Sequence, residues 1–413
     1  MARSKERRYG RTLIVSTAAL VLVSGCGVLP ADDDQETVLI GVDLPLTGDA
    51  SALGSVYRNA LELRVEQVNQ QGLLRDRQLS LEVTDNRSDS DTAKANIQEL
   101  ASNPDVRAII TSGCEECAEE IAEIVNGAGV PTIALAASAT FSEPVEERQY
   151  LFKVGPNAGH DASLLTAELL RAEVGTVALA ATDDAYGAEG LAQMEVALAA
   201  TDIEIVLTEK LVASEDGLRS SAERIAGYLP QSPALPELGL VSDFSTQEPG
   251  PDAVVVWASD PVANDFTEAL HAAGYSGNLY LDAVAATDPF LTGASGAAYT
   301  NATMVFTETL VIDEVIATSP AKAARQTWFR DYTSRFGTYH AFSSFGADAI
   351  QLIVEAINQA GFTARDTLRD AFEGVRFDGL TGPLRMTPLN HSGLRSQALT
   401  TLVVRGDRWR LAG

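Results

Sequence analysis

From residue 37 onward, short runs rich in β-branched residues alternate with longer stretches in which apolar residues recur every three or four positions. This alternation is typical of parallel strands covered by helices, because a chain needs a crossover of about helix length to return to the start of the next parallel strand. In the first unit, residues 38–42 form a predicted strand, and Leu53, Val56 and Ala60 place an apolar stripe on a predicted helix over 51–71. The sequence therefore predicts an α/β fold with parallel sheets flanked by helices.

These units fall into two series, one on each side of Pro156. A chain of 413 residues is too long for one ordinary hydrophobic core, so each series is predicted to form a Rossmann-like lobe with its own core. The predicted strands before Pro156 are 38–42, 79–83, 108–111 and 132–135, and those after it are 177–181, 203–207, 253–257, 279–281 and 303–307. A Pro-rich segment, residues 230–251, is predicted to be a surface loop.

The last quarter of the chain has no new sheet to join. Its predicted helices and two short strands have to pack onto the two existing lobes, which requires the chain to cross between them near residues 156, 308 and 377. We therefore predict a three-strand hinge between the lobes. The predicted N-terminal lobe comprises residues 37–155 and 309–376, and the predicted C-terminal lobe comprises residues 156–308 and 377–413.

The first 25 residues have the three parts of a bacterial export signal. A basic stretch precedes an apolar run over 13–23, which is shorter than the ~20 residues that a membrane-spanning helix needs. The run ends at Val23-Ser24-Gly25-Cys26, which looks like a lipobox, where a peptidase cuts just before a cysteine that receives diacylglycerol. We predict a signal peptide over 1–25, lipidated Cys26 at the mature N-terminus and a solvated tether over 26–36. The alternative is an ordinary signal peptide in which Cys26 is incidental.

The formal net charge of the chain is −27 at pH 7, and removal of the basic first 25 residues makes it more negative. Such a surface repels nucleic acid phosphates and anionic lipid headgroups, so it disfavours binding to either through a basic face. Attachment to a membrane is therefore predicted to depend on the acyl chains of Cys26, whose burial gains ~0.8 kcal/mol per CH₂.

Catalytic motifs are not apparent in the sequence. The four histidines, at positions 160, 271, 340 and 391, do not fall in a nucleophile-elbow, zinc-protease or phosphate-loop context. We predict no catalytic activity, no metal and no cofactor. An enzyme on the same two-lobed scaffold is the competing interpretation.

Three segments resemble the type I periplasmic binding proteins of ABC transporters, and most closely the branched-chain amino acid receptors. They are Ile40-Gly41-Val42 with Pro45-Leu46-Thr47-Gly48, then Asp183-Asp184-Ala185-Tyr186-Gly187, and Ser344-Phe345-Gly346-Ala347-Asp348-Ala349. The resemblance implies a monomeric receptor outside the cytoplasm that binds a small polar molecule, such as an amino acid, and delivers it to an ABC permease. A sensor in the envelope with the same fold is an alternative that the sequence leaves open.

The resemblance also implies site residues. Family members hold the ligand carboxylate just after the fourth strand, and the matching segment here contains Ala136 and Ser138. Backbone amides and a hydroxyl at the carboxyl end of a strand suit an anion. Tyr186 matches an aromatic residue that the second lobe places over the ligand, and Leu53 matches a residue beside the ligand side chain. Turn capping by Ser138 and plain helix packing by Tyr186 and Leu53 are the structural alternatives.

The chain departs from the family at the acid that pairs with the ligand ammonium. An ungapped match places Ala283 there, next to Asp282, and a companion aromatic position falls on Ser259, next to Asp260. Asp260 and Asp282 are therefore predicted ammonium partners if the register differs by one residue. Capping or solvated turns explain both aspartates equally well.

The segment 112–117 matches another part of the family site, so Ser112, Gly113 and Glu115 are predicted neighbours of the ligand. Glu115 stands where the family has a small hydroxyl residue, and its charge would favour a cationic or hydroxyl-rich ligand over a carboxylate. Helix capping is the alternative role for Glu115. In an oxidising compartment Cys114 and Cys117 are predicted to form a disulfide, since the chain offers no other pairing apart from Cys26.

Overall fold

The computed structural model of the chain describes residues 35–229, 250–286, 288, 291 and 296–412. The predicted signal peptide, Cys26, all but the end of the predicted tether, and nearly all of the predicted Pro-rich loop lie outside these residues. Within them, no helix combines the length and the apolar character that a membrane span requires.

In the part of the chain that the structure describes, the smaller sheet has five parallel strands in the order β2-β1-β3-β4-β5. They are β1 (Glu36–Leu44), β2 (Arg77–Asp85), β3 (Val106–Thr111), β4 (Thr132–Ala134) and β5 (Leu151–Lys153). The helices between them are α1 (Ser51–Gln71), α2 (Ser90–Ser102) and α3 (Ala118–Ala128). The helix α1 ends where predicted, because Gly72 takes the left-handed conformation there and its N–H closes onto the Asn69 carbonyl.

Among the described residues, the larger sheet has seven strands in the order β14-β13-β10-β9-β8-β6-β7. Strand β13 pairs antiparallel with both β10 and β14, and the other pairs are parallel. They are β6 (Thr176–Thr182), β7 (Glu204–Leu211), β8 (Ala253–Trp257), β9 (Asn278–Leu281), β10 (Ala302–Thr307), β13 (Leu399–Val404) and β14 (Trp409–Leu411). Its helices are α4 (Ala158–Arg171), α5 (Ala185–Leu198), α6 (Glu215–Ala226) and α7 (Val262–Ala272). The predicted α/β class with helix-flanked parallel sheets is confirmed.

Three further helices and a short hairpin follow β10. They are α8 (Pro320–Phe336), α9 (Ser343–Ala360) and α10 (Arg365–Phe372), with strands β11 (Arg376–Asp378) and β12 (Pro383–Arg385). The buried face of α9 packs on α1, and the guanidinium of Arg365 at the start of α10 donates to the Val106 carbonyl at the base of β3. These elements therefore complete the helical cover of the smaller sheet.

The two sheets do not have fully separate cores, which differs from the prediction. One helix-covered face of each sheet belongs to a single continuous hydrophobic cluster, while the opposite faces have clusters of their own. The connection is an aromatic waist in which Phe342 lies 5.8 Å from Phe306 at the end of β10 and 6.5 Å from Tyr57 of α1, measured between ring centroids. Large rings from α1, from the end of β10 and from the segment before α9 therefore join the two lobes.

Contacts of the segments that connect the two lobes indicate where the lobe boundaries lie. The N–H of Lys153 donates to the His391 carbonyl at 3.0 Å, so the first and third crossings run side by side. Glu314 pairs with Arg410 of β14, which keeps it with the larger sheet. Conversely, Asp348 of α9 accepts from the N–H of Thr381 at 2.8 Å, which keeps the β11–β12 hairpin with the smaller sheet. We therefore propose boundaries near residues 315 and 395 instead of 308 and 377.

Candidate ligand-binding site

The candidate site lies where the carboxyl ends of strands from both sheets face each other. Ligands of open α/β sheets bind at this edge, because the loops that follow the strands leave a crevice there. A cavity of about 300 Å³ lies between the loops after β1, β2 and β3 on one side and the start of α5 on the other. A larger groove of about 720 Å³ runs between α6 and α7, but its lining residues all come from the lobe of the larger sheet. The cavity is therefore the better candidate.

In the lobe of the smaller sheet, beside the cavity, Ser138 and Ala139 present two hydrogen-bond donors just beyond β4. Ser138 is fully buried and caps a short 3-10 helix, Ala139–Phe141, by accepting from the N–H of Thr140 at 3.3 Å. Its hydroxyl donates to Oε2 of Glu189 at 2.8 Å, and the Ala139 N–H donates to both oxygens of that carboxylate at 2.9 and 3.1 Å. The predicted anion site therefore has suitable donors, and a carboxylate of α5 occupies them.

A buried lysine holds the segment that precedes Ser138, which forms the rim of the site together with Ala139. Lys153, at the end of β5, is fully buried, and its Nζ donates to the carbonyls of Ala137 at 2.7 Å and Pro156 at 2.5 Å. Burial lowers the pKa of Lys153 to about 8, although nearby Glu189 opposes the shift. Sequence analysis missed this residue, although a lone cation inside the apolar run Leu151–Val154 is a usable signal.

Tyr186 and Asp282 meet on the wall of the larger sheet. The Tyr186 hydroxyl donates to Oδ2 of Asp282, and the Ala258 N–H donates to Oδ1 at 3.4 Å. Burial raises the pKa of Asp282 to about 7, and burial together with the charge of Asp282 raises the pKa of Tyr186 well above its usual range. The two predicted residues are therefore brought together, and Asp282 satisfies its carboxylate within its own lobe.

Asp161 of α4 lies next to this pair and was not predicted. It is buried, its Oδ1 accepts no hydrogen bond from the described residues, and its pKa is raised well above the usual range by burial and then by the charge of Asp282. Two buried carboxyl groups therefore lie near each other behind Tyr186.

The start of α5 holds Tyr186 in place. Asp184 caps the helix by accepting from the N–H of Gly187 at 2.8 Å. One turn later Gly190 lets the helix approach Trp257 closely, since a Cβ atom at this position would lie 2.3 Å from the indole ring. A larger residue at position 190 would push α5 and Tyr186 away from β8.

Three predicted ligand neighbours, Ser112, Gly113 and Glu115, line the cavity after β3. Gly113 has φ +91°, which side chains rarely adopt, and a Cβ there would press on Ala136 at 3.0 Å. The Glu115 side chain is open to the cavity, yet the surrounding walls displace enough water to raise its pKa, and the charges of Asp184 and Glu189 add to that shift. The cavity is therefore strongly acidic on both walls.

The predicted disulfide between Cys114 and Cys117 is present and spans the short 3-10 helix Glu115–Cys117. The other predicted site residues contribute less. Ala136 is buried in the core rather than open to the cavity, Leu53 packs half-buried against the main cluster, and Asp260 is exposed before the cis peptide to Pro261. None of these three belongs to the cavity lining among the described residues, and neither do the buried Ser138 and Asp282. Their roles in binding stay predictions.

Known structures share this fold. An extracellular ligand-binding receptor from Rhodopseudomonas palustris HaA2 has 21% identity and a TM-score of 0.74, and the match covers 91% of this chain and 99% of that one. A substrate-binding protein of an ABC transporter from Desulfitobacterium hafniense, in complex with Leu, has 18% identity and a TM-score of 0.69, with 91% and 100% covered. A solute-binding protein from Rhodopseudomonas palustris BisB5, in complex with 3,4-dihydroxybenzoic acid, has 19% identity and a TM-score of 0.71, with 91% and 96% covered.

No curated protein matches the sequence significantly. The model of the family described as periplasmic binding protein matches residues 37–407, which is nearly all of the chain after the predicted tether. The resemblance stated from the sequence is thereby confirmed. The chain belongs to the periplasmic binding protein family.

Proposed function

We propose that the protein is a lipid-anchored solute-binding protein outside the cytoplasm, which binds a small polar molecule in the cavity and passes it to an ABC permease without changing it chemically. The observation that carries the proposal is the convergence of both walls on one cavity. Ser112, Gly113 and Glu115 line the cavity from one lobe, and Asp184 and Tyr186 line it from the other. Beside it, the donors of Ser138 and Ala139 are held by Glu189, and the acid of Asp282 is held by the Tyr186 hydroxyl.

Binding is proposed to work by a shift between open and closed arrangements of the lobes. A ligand can favour the closed arrangement only by binding it better than the open one, so contact with both walls is required. The three crossings, which include Lys153 and the segment near His391, would carry the rotation. The aromatic waist of Tyr57, Phe306 and Phe342 would keep the lobes in contact during it.

A thermal-shift screen of the mature chain with amino acids, amides, polyamines and small aromatic acids tests the receptor function. L-Leucine and 3,4-dihydroxybenzoate belong in the screen because structural neighbours bind them. A true ligand at 100 times its dissociation constant adds about 2.7 kcal/mol to the free energy of unfolding and raises the melting temperature. X-ray scattering should then show a smaller radius of gyration for the saturated protein. Failure of every class at millimolar concentration would refute the small-molecule receptor.

Lipid anchoring depends on Cys26 and has its own test. In a bacterial host, the wild-type chain should partition with membranes and carry the mass of a diacylglycerol on Cys26. The Cys26→Ala variant should lose both. A wild-type chain found in the soluble fraction, with an unmodified Cys26 or a different N-terminus, would refute the anchor and leave the receptor function standing.

A further inference from the structure

Glu189 on α5 reaches from one lobe to the other. Its carboxylate accepts hydrogen bonds from the Ser138 hydroxyl and the Ala139 N–H, both on the opposite wall, at 2.8 to 3.1 Å. These two donors converge on one point, as they would on the carboxylate of a bound molecule. A side chain of the protein therefore holds the position that a ligand carboxylate would need.

The surroundings make that position hard for a second carboxylate to take. Ser138 is fully buried, and apart from Glu189 its hydroxyl contacts only Thr140 among the described residues, at 2.9 Å. An incoming carboxylate must displace Glu189 to reach the donors. The displaced charge would return to a cavity that already contains Glu115 and Asp184. Displacement would therefore add a negative charge to an acidic space, which costs free energy.

We infer that Glu189 is a built-in occupant of the carboxylate subsite and a determinant of specificity: it excludes ligands with a free carboxylate and leaves the cavity to uncharged or cationic molecules such as amines. This inference rests on the proposed receptor function. It assigns Glu189 a role that the sequence pattern does not reveal, since residue 189 is one of several polar positions on α5.

The test compares two probes that differ in one group. L-Leucine carries a carboxylate, and 3-methylbutan-1-amine is the same molecule with the carboxylate replaced by hydrogen. Calorimetric titration of wild type, Glu189→Ala and Glu189→Gln gives the ratio of the two affinities. The control is Glu195→Ala, which removes an exposed acid from the same helix. Circular dichroism melts verify that each variant is folded.

We expect Glu189→Ala to raise the preference for leucine over the amine at least tenfold, because the vacated donors become available. Glu189→Gln should show a smaller gain, since an amide still fills the site but carries no charge, and Glu195→Ala should match wild type. An unchanged ratio in Glu189→Ala overturns the inference, and so does a folded Glu189→Ala that binds neither probe. Scattering adds a readout without ligand: loss of the bridge should increase the radius of gyration, and an identical profile for both proteins counts against the bridge.

The inference and the receptor function fail separately. A wild type that binds leucine as tightly as Glu189→Ala refutes the exclusion of carboxylates and supports the receptor. A wild type that binds no compound in the broad screen, while Glu189→Ala binds leucine, refutes the receptor and supports the occupancy of the subsite by Glu189.

Discussion

The two walls of the cavity differ in how the polar groups beside them find hydrogen-bond partners. The wall of the smaller sheet offers donors, the Ser138 hydroxyl and the Ala139 N–H, that need an acceptor from elsewhere. The wall of the larger sheet buries an acid, Asp282, and satisfies it internally through Tyr186. That second wall also supplies Glu189, the acceptor that the first wall lacks.

The comparison shows that the two lobes are partly complementary to each other, because an acid of one accepts the hydrogen bonds that the other donates. A ligand that copies Glu189 competes with a group already in place, whereas a ligand that complements the acidic lining does not. The inference about Glu189 therefore predicts that the acids near the cavity decide which ligands bind more than the donors of Ser138 and Ala139 do. Each of the following experiments changes one wall and leaves the other intact.

The largest effect is expected from Asp282→Asn, which tests whether the second wall hides a protonated acid. The pKa of Asp282 is about 7 in the folded protein and about 3.9 in an unfolded chain, so the folded state holds an extra proton between these values. The stability of wild type should therefore fall as pH rises from about 4 to about 7 and level off above. Asparagine does not titrate, so the free energy of unfolding of the variant should rise by about 2–4 kcal/mol relative to that of wild type between pH 4 and pH 7.

Denaturation by urea at pH 4.5, 6 and 8 measures this gain. Asp105→Asn, which removes a carboxylate at an exposed position, is the control and should unfold at the same urea concentrations as wild type. A stability difference between Asp282→Asn and wild type that stays constant with pH would mean that Asp282 is ionised throughout, and the contrast between the walls would disappear.

Gly190→Ala breaks the support of the second wall. The new Cβ would lie 2.3 Å from the Trp257 ring, so α5 has to shift, at a cost of about 1–3 kcal/mol in the free energy of unfolding. Gly127→Ala is a matched control, because Gly127 is also helical and a Cβ there meets nothing within 4 Å. That control should be neutral or more stable by up to about 1 kcal/mol. Equal stability changes in the two variants would contradict the close packing of α5 on Trp257.

The smallest effect is expected from Glu115→Gln, which removes one charge from the first wall. Glu115 is open to the cavity, so solvent screens its charge, and its effect on a ligand amine should be about 0.3–1 kcal/mol, or roughly two- to fivefold in affinity. Titrations with 3-methylbutan-1-amine and L-leucine should show the amine weakened relative to leucine. Glu119→Gln on the exposed face of α3 is the control. Equal preferences in Glu115→Gln and wild type would end the role of Glu115 in selectivity.

The sequence predicted the parts of the molecule that depend on local patterns. The period of apolar residues predicted α1 over its observed range. The resemblance to the family implied Ser138 and Tyr186 as site residues, and of these two Tyr186 lines the cavity. The resemblance to the family placed Asp282 next to the expected acid. The helix needed only the spacing of residues along the chain, whereas the site residues needed the resemblance to the family.

Contacts between residues that lie far apart in the sequence could not be predicted from local patterns. Glu189 lies 51 positions from Ser138 in sequence, and on a helix with polar positions it resembles any solvated glutamate. Asp161 likewise follows an ordinary helix start, so its burial depends on how α4 packs against the larger sheet. The aromatic waist is similar, since Phe342 and Phe306 are both apolar in sequence but meet only after the chain has crossed between the sheets. Position in space, not residue type, gives these groups their roles.

The burial of Lys153 provides a chemical reporter at the rim of the site. The chain has five lysines, and the side chains of Lys94, Lys210 and Lys322 are 30, 69 and 33% exposed, whereas Lys153 is fully enclosed. An acylating reagent at mildly alkaline pH finds Lys153 largely uncharged and reactive, but it can attack only when the enclosing segments move apart. The rate of Lys153 acylation, followed by mass spectrometry, therefore measures how often the rim opens, and it needs no introduced label.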